Sequence, residues 1–313
     1  MPFTAKSGKF NASINTVEFG TGDKAVKIGG ENVFPLYSFD AAIENAPKVG
    51  IEITDFGMEH EPECIKKYYE GCATLADMAR KAASMEGVDF LSFRMEGGDP
   101  NGANKSTEDL IGELKEIADA VDLPLVVCGC KNVEKDAELF SKAAEALNGK
   151  NAVILSAKEE NYKTVGAAAG LAYKQVVGAE SAVDINLAKQ LNVLISQLGV
   201  DSKSVVMNVG TAAVGYGFEY VISTMDRVKA AALQQGDANL QMPIITPVAS
   251  EAWGVKEAMA SETDAPEWGS QEERGIDMEV ETAMAVIAAG SNAVILKHPE
   301  SIKIISGLMK ELV

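Results

Sequence analysis

The chain has 313 residues, of which 47% are hydrophobic, and a formal net charge of −18 at pH 7. This length allows two domains or one α/β barrel, and the acidic balance offers no basic stripe for phosphates, so we expect no nucleic-acid binding. Without a long apolar run or the apolar core of a secretory signal, we expect no membrane association and a cytoplasmic location.

The first predicted element is a β-hairpin that precedes the repeating part of the chain. Residues Thr16–Ile28 read as two short strands around a Gly-Thr-Gly-Asp turn. We expect this hairpin to cover the end of a barrel at which the strands begin, because an uncovered floor would expose apolar side chains. The predicted division is therefore an N-terminal extension, residues 1–47, followed by a barrel, residues 48–313.

From Lys48 onward one unit repeats: a short run rich in Val, Ile and Leu, a polar or glycine-bearing turn, and a longer helical pattern. The nearly continuous apolar runs are typical of strands covered on both faces in a parallel sheet. The predicted strands are Lys48–Asp55, Val88–Met95, Pro124–Cys130, Asn151–Ala157, Lys174–Glu180, Ser204–Gly210, Pro243–Ala249 and Asn292–His298.

Eight such units indicate a (β/α)8 TIM barrel. A doubly wound open sheet is the alternative, but no GxGxxG follows the first strand and no P-loop occurs. The intervening helices have the expected period: in Asp184–Leu198 the apolar residues share one face, and Thr107 begins a helix with a capping residue and an acidic first turn. Further helices are predicted at Val221–Leu233, Glu272–Ala289 and Ser301–Leu312.

The four cysteines do not have the spacing of a zinc or iron–sulfur motif. Cys128 and Cys130 end an apolar strand, and we expect them to be reduced, half-buried thiols, because structural disulfides are uncommon in the cytosol. With only two histidines in the chain, a His-based metal site or a Ser-His-Asp triad has little support. We predict no metal ligands and no catalytic residues.

In a TIM barrel, ligands bind at the carboxyl ends of the strands. The segment Asn208–Tyr220, after the sixth strand, combines three glycines, which permit close approach of another surface, with two tyrosines, which offer stiff contact area and a polar tip. The alternative is a loop that only packs inside the rim. The candidate cofactor-binding residues are Asp99, Asn101, Asn186, Asn208, Gly210, Thr211, Gly215, Tyr216 and Tyr220.

Several segments, in order along nearly the whole chain, carry a resemblance to a known family. They are Gly97–Asn104 (GGDPNGAN), Pro124–Asp136, Ser156–Gly170, Ala182–Ile195, Val214–Gln234, Glu251–Ala258, Trp268–Gly275 and Leu296–Glu300. In these the chain resembles the small (delta) subunit of the corrinoid iron–sulfur protein of the acetyl-CoA synthase/carbon monoxide dehydrogenase system. It departs from the family pattern at Asn208-Val209, where Asp-Pro is common, and at Ala212-Ala213, where the family has a Gly-Gly pair.

The resemblance implies a TIM barrel related to pterin-binding methyltransferases, acting as the non-catalytic half of a methyl carrier in anaerobes. A large subunit would carry the [4Fe–4S] cluster, and a cobalamin-type corrinoid would lie at the interface of the heterodimer. The methyl group would pass from methyltetrahydrofolate, through its corrinoid methyltransferase, to acetyl-CoA synthase in the reductive acetyl-CoA (Wood–Ljungdahl) pathway of carbon fixation. The implied partners are the large subunit, that methyltransferase and acetyl-CoA synthase.

Two other functions remain open from the residues alone. One is a free-standing pterin-dependent methyltransferase that uses Glu96, Asp99, Asn186 and Asn208, since paired carboxylates can act in acid–base catalysis. The other is a structural scaffold without ligand contact.

Overall fold

The N-terminal hairpin is the first element of the structure, a computed structural model that describes residues 8–313. Strands β1 (Val17–Phe19) and β2 (Val26–Ile28) pair antiparallel, with Val17 opposite Ile28. The predicted hairpin around the Gly-Thr-Gly-Asp turn is confirmed. The next strand begins at Lys48.

Eight parallel strands form the central sheet, and each lies inside its predicted range. They are β3 (Lys48–Thr54), β4 (Phe90–Arg94), β5 (Leu125–Cys128), β6 (Val153–Ala157), β7 (Val176–Glu180), β8 (Val205–Asn208), β9 (Ile245–Pro247) and β10 (Ala293–Leu296). The spatial order is β8-β7-β6-β5-β4-β3-β10-β9, and a parallel bridge from Met207 to Ile244 joins the outer strands. Because sequential strands run around the sheet without the reversal of a doubly wound fold, the predicted (β/α)8 barrel is confirmed.

Helices surround this sheet. They are α1 (Glu63–Lys66), α2 (Leu75–Ala83), α3 (Thr107–Ala120), α4 (Val133–Ala146), α5 (Tyr162–Val165), α6 (Ile185–Gln197), α7 (Phe218–Leu233), α8 (Ala249–Ala252), α9 (Lys256–Met259), α10 (Gln271–Ala289) and α11 (Pro299–Leu312). A π-helical segment, Gly166–Ala172, extends α5. The cap of α3 is Ser106, one residue before the predicted Thr107, because its hydroxyl accepts from the Asp109 amide. Within residues 8–313, no helix combines the length and apolarity needed to cross a bilayer.

The hairpin fills the end of the barrel at which the strands begin. Its buried residues Val17, Phe19, Val26 and Ile28 form one cluster with side chains inside the barrel. The rings of Phe19 and Phe90 meet edge to face, with centroids 5.5 Å apart. Apolar contact of this kind removes the floor from water, so the carboxyl ends of the strands form the accessible end of the barrel.

A buried ion pair fastens the rest of the N-terminal extension to the barrel. Lys229 Nζ on α7 lies 2.9 Å from Glu31 Oε1 and 3.0 Å from Asn292 Oδ1, and all three residues are buried. Burial disfavours the Glu31 carboxylate, but Lys229 and Asn292 outweigh it and lower the pKa of Glu31. The extension is therefore an integral part of the barrel structure.

Candidate functional site

The open end of the barrel holds a cavity with two lobes. The first, which we call the Asn208 lobe, has a volume of about 280 Å³ and includes Ser156, Glu180 and Asn208 in its lining. The second, the Glu52 lobe, has a volume of about 370 Å³. The lobes share Arg94, Gly129, Lys131 and Ser250, so they form one continuous depression at the mouth.

Asn208, the last residue of β8, organises the wall of the Asn208 lobe. Its Nδ2 donates to Ser156 Oγ at 3.1 Å and to Glu180 Oε2 at 3.5 Å, and its Oδ1 accepts from the Gly210 amide at 3.1 Å. Lys158 pairs with Glu180 at 3.3 Å. The amide at this position therefore joins three neighbouring strand ends, whereas an aspartate would have no N–H to donate to Glu180.

The loop after Asn208 brings a free hydroxyl to the same lobe. Gly210 has φ = +85°, and a Cβ there would lie 3.3 Å from Val183 and 3.4 Å from Ala182, so glycine suits both the turn and the close packing. Thr211 Oγ1 is buried and has no hydrogen-bond partner among residues 8–313. A buried polar group without a partner costs about 1–3 kcal/mol, which marks Thr211 as a point for ligand contact.

Arg94, at the end of β4, separates the two lobes. Its Nε and Nη2 donate to the same oxygen of Glu52, Oε2, at 3.0 and 2.8 Å. Burial of Arg94 disfavours its charge, but the Glu52 carboxylate outweighs this and raises the pKa of the guanidinium. Arg94 is thus a fixed cation inside the barrel, a feature that the analysis of the strands did not predict.

The two cysteines of β5 and its following turn are buried thiols rather than half-buried ones. Cys128 faces Ser92 inside the barrel at 3.5 Å, and Cys130 donates to Asp136 Oδ1 at 3.2 Å. Burial raises the pKa of Cys128 to about 11 and that of Cys130 to about 12. Because the thiolate is the reactive form, neither cysteine is prepared to act as a nucleophile.

Lys297, at the end of β10, borders the Glu52 lobe as half of an ion pair. Its Nζ lies 2.7 Å from Glu61 Oε1. Burial disfavours the charge, but Glu61 and then Glu52 outweigh it and raise the pKa of Lys297. Behind it, Glu279 accepts from the amides of Lys297 and His298 at 2.6 and 3.1 Å and fixes the end of the strand.

Exposed apolar side chains lie on the loop after β8, on α7 and α9, and on the segment before α10. Tyr216 OH donates to Glu257 at 2.6 Å, which ties the loop after β8 to α9. We define the aromatic strip as the exposed residues Tyr216, Tyr220, Met259 and Trp268, whose exposed fractions are 48, 67, 37 and 39%. Met259 also lines the Glu52 lobe, so the strip is continuous with the cavity.

The predicted binding residues divide between these features. Asn208, Gly210 and Thr211 line the Asn208 lobe, and Asp99 lines the Glu52 lobe. Five others lie outside both lobes: Asn101 on an exposed turn, Asn186 in the first turn of α6, Gly215 and Tyr216 on the loop after β8, and Tyr220 in the first turn of α7.

The four residues of the alternative methyltransferase site are not gathered in one place. Glu96 and Asp99 line the Glu52 lobe, Asn208 lines the other lobe, and Asn186 lies in the first turn of α6 outside both. Within residues 8–313, no group of three or more His, Cys, Asp or Glu residues is arranged to hold a metal ion.

Solved structures with the same barrel define the class of protein. A dihydropteroate synthase from Xanthomonas albilineans with 4-aminobenzoic acid matches with a TM-score of 0.56 over 95% of this chain and 98% of its own, at 12% identity. That of Vibrio fischeri matches with a TM-score of 0.56 over 94% of this chain and 97% of its own, at 9% identity. At such identities the likeness shows the fold alone: a TIM barrel of the dihydropteroate synthase type.

Sequence relatives define the family within that class. Delta subunits of the acetyl-CoA decarbonylase/synthase complex are similar to the chain: delta 1 of Methanosarcina thermophila is 29% identical over 94% of this chain, and that of Methanothermobacter thermautotrophicus is 31% identical over 95%. The chain spans 67% and 75% of the lengths of these relatives. The family model for the CO dehydrogenase/acetyl-CoA synthase delta subunit matches residues 16–309. The chain belongs to that family.

Proposed function

We propose that this chain is the small subunit of a corrinoid iron–sulfur methyl carrier and helps to hold the corrinoid at the interface with a larger subunit. In this role it serves methyl transfer from methyltetrahydrofolate, through a methyltransferase, to acetyl-CoA synthase in the reductive acetyl-CoA pathway. The [4Fe–4S] cluster belongs to the partner. The observation that carries the proposal is a polar barrel mouth with unpartnered hydrogen-bonding groups in a chain of the delta-subunit family.

The residues at the mouth fit a corrinoid. A corrin ring is flat, apolar on its faces and edged with amide side chains. The ring with its side chains is much larger than either lobe, so it would lie across the mouth with edge groups entering the lobes. Thr211 Oγ1 offers such a group a hydrogen bond. Gly210, which has no side chain, lets the loop backbone pack closely beside Thr211. When bound, the corrinoid supplies a cobalt centre for methyl transfer.

The role of the chain itself is to bind and orient. Its two cavity thiols are held protonated by burial, as the raised pKa of each indicates. Arg94 and Lys297 are each held in an ion pair with a carboxylate. These contacts give a fixed polar surface rather than an acid–base or nucleophilic arrangement, which supports a non-catalytic subunit.

The aromatic strip supports a protein partner at the same end of the barrel. Tyrosine, methionine and tryptophan are enriched at the centres of protein interfaces, and here Met259 of the strip lines the Glu52 lobe. A large subunit that contacts the strip would cover the exposed face of a corrinoid lying on the mouth.

The test compares two threonine substitutions in the heterodimer reconstituted with the large subunit. Thr211→Val removes the free hydroxyl from the mouth, and Thr164→Val, on exposed α5, is the matched control. We expect Thr211→Val to weaken corrinoid binding roughly three- to tenfold, as loss of one hydrogen bond would, while the control is unchanged. Corrinoid occupancy is measured by visible absorbance.

Two results would contradict the proposal. Equal corrinoid occupancy in Thr211→Val, the control and the unaltered chain would mean that this loop does not contact the corrinoid. A native preparation that contains this chain alone or self-associated, without a larger corrinoid-bearing subunit, would overturn the carrier function itself.

A further inference from the structure

The Glu52 lobe contains a donor and an acceptor that belong to buried residues and have no hydrogen-bond partner among residues 8–313. Both contacts of Arg94 go to Glu52 Oε2, which leaves Arg94 Nη1 and Glu52 Oε1 without partners among residues 8–313. The Thr54 hydroxyl beside them also has no partner in this part of the chain. The exposed fractions of Arg94, Glu52 and Thr54 are 7, 3 and 5%, and all three residues line the lobe.

Two ion pairs balance the charges next to these groups. Glu52 pairs with Arg94, and Glu61 pairs with Lys297, each at hydrogen-bonding distance. The lining also includes Glu96, Asp99 and Lys131, of which Lys131 already pairs with Glu251, so carboxylates outnumber cations in the lobe. A ligand with one full charge would face a like charge in the Glu52 lobe. Its contacts there would not offset the free-energy cost of removing it from water.

A neutral group that both donates and accepts satisfies the two free atoms together. A primary amide has a carbonyl oxygen that can accept from Arg94 Nη1 and an N–H that can donate to Glu52 Oε1. An ether cannot donate, and a hydroxyl donates and accepts through a single atom, whereas a primary amide presents its acceptor and its donor on two separate atoms. The Glu52 lobe is thus complementary to a carboxamide.

We propose that the Glu52 lobe is the binding pocket for one peripheral primary amide of the corrinoid. Glu52 and Arg94, with Thr54 beside them, hydrogen-bond to this amide. The inference rests on the proposed function and adds a specificity site to it. The pocket would set the rotation of the ring on the mouth, since only one edge group enters it. It would also reject a carboxylate in place of that amide, because the carboxylate would face Glu52 Oε1.

The test uses aquacobalamin and its separated monocarboxylic isomers, each with a carboxylate in place of one peripheral amide. Binding of each compound to the reconstituted heterodimer is measured by absorbance titration. We expect one isomer to bind at least about tenfold more weakly than the parent, and the others to bind within about twofold of it.

Two substitutions assign the discrimination to the pocket. Glu52→Gln replaces the facing carboxylate by an amide, so the rejected isomer should bind as well as the parent. Glu59→Gln, an exposed change nearby, should leave the discrimination intact. The thermal unfolding midpoint of each heterodimer shows whether the variant is folded. The comparison of the isomers on the unaltered heterodimer tests the pocket even if a variant does not fold.

The outcomes separate this proposal from the proposed function. Equal binding of every isomer, or discrimination that survives in folded Glu52→Gln, would overturn the amide pocket while the corrinoid carrier stands. Failure of aquacobalamin itself to bind the heterodimer would overturn both.

Discussion

His298 is a buried histidine with unusual surroundings for its position at the end of β10. Its ring stacks on Trp253, with centroids 5.8 Å apart, and meets the edge of Tyr68 at 5.2 Å. Its Nδ1 accepts from the Glu300 amide and caps α11. Burial lowers the pKa of His298 to about 4, even though the Glu272 carboxylate favours the charged form. The ring is therefore neutral near pH 7.

This lowered pKa predicts a loss of stability in mild acid. The unfolded chain takes up a proton on His298 below its ordinary pKa of 6.5, but the folded protein resists this down to about 4. Stability is thus present above 6.5 and is lost as pH falls towards 4. Between about pH 7 and about pH 4.5 the contribution is roughly 2–3 kcal/mol.

The measurement is urea unfolding of three chains at both pH values. His298→Asn keeps a capping side chain without the titration, so it should lose roughly 2–3 kcal/mol less than the unaltered chain. His60→Asn, an exposed position, is the control and should follow the unaltered chain. Parallel losses in the unaltered chain and His298→Asn would contradict the assignment.

The candidate site was only partly predictable at this scale. Asn208, Gly210 and Thr211 were predictable because they lie at or just after the carboxyl end of a strand, where barrel ligands bind. Glu52 lies in the middle of β3, and Arg94, although it ends β4, could not be assigned to the barrel interior, because the direction of a side chain depends on how the barrel closes. The available signal was a single charge inside an otherwise apolar strand, which burial alone would disfavour.

At the scale of elements, the hairpin β1–β2 is the feature with the clearest energetic consequence. Phe19 is fully buried against Phe90, while Glu18 on the same strand is exposed. Phe19→Ala should therefore lower the free energy of unfolding by about 3–5 kcal/mol, since it leaves a cavity in the floor. Glu18→Ala should change it by less than about 1 kcal/mol.

Urea unfolding at constant pH measures both hairpin variants. Similar small effects of Phe19→Ala and Glu18→Ala would mean that the hairpin does not contribute to the barrel core. The prediction does not depend on a ligand, because neither Phe19 nor Phe90 lines either lobe.

The elements themselves followed well from the sequence. The apolar strands were recognisable because parallel strands are buried on both faces. Each predicted range was one to four residues longer than the observed strand. The π-helical segment Gly166–Ala172 was not predicted, since its alanines and glycines carry no amphipathic pattern. The short helices α8 and α9 are each one turn, too brief for a periodic signal.

At the scale of the whole molecule, the aromatic strip predicts which end of the barrel meets a partner. Tyr220→Ser should weaken association with the large subunit by about tenfold or more, as expected for a tyrosine near an interface centre. The matched control is Tyr37→Ser, an exposed tyrosine of the extension, whose neighbour Ser38 donates to the carbonyl of Leu312 at the end of α11. Calorimetric titration of the two subunits measures both, and equal affinities would place the interface elsewhere.

The filled floor has a consequence for exchange kinetics. The hairpin closes one end of the barrel, so the two lobes open at the other end, where Met259 of the aromatic strip lines the Glu52 lobe. A molecule lying on the mouth beneath a bound subunit would have no rear exit. Its residence time would then follow the dissociation rate of the two subunits rather than its own affinity for this chain. The bound molecule would have to enter before the two subunits associate, and its replacement would require the two subunits to separate.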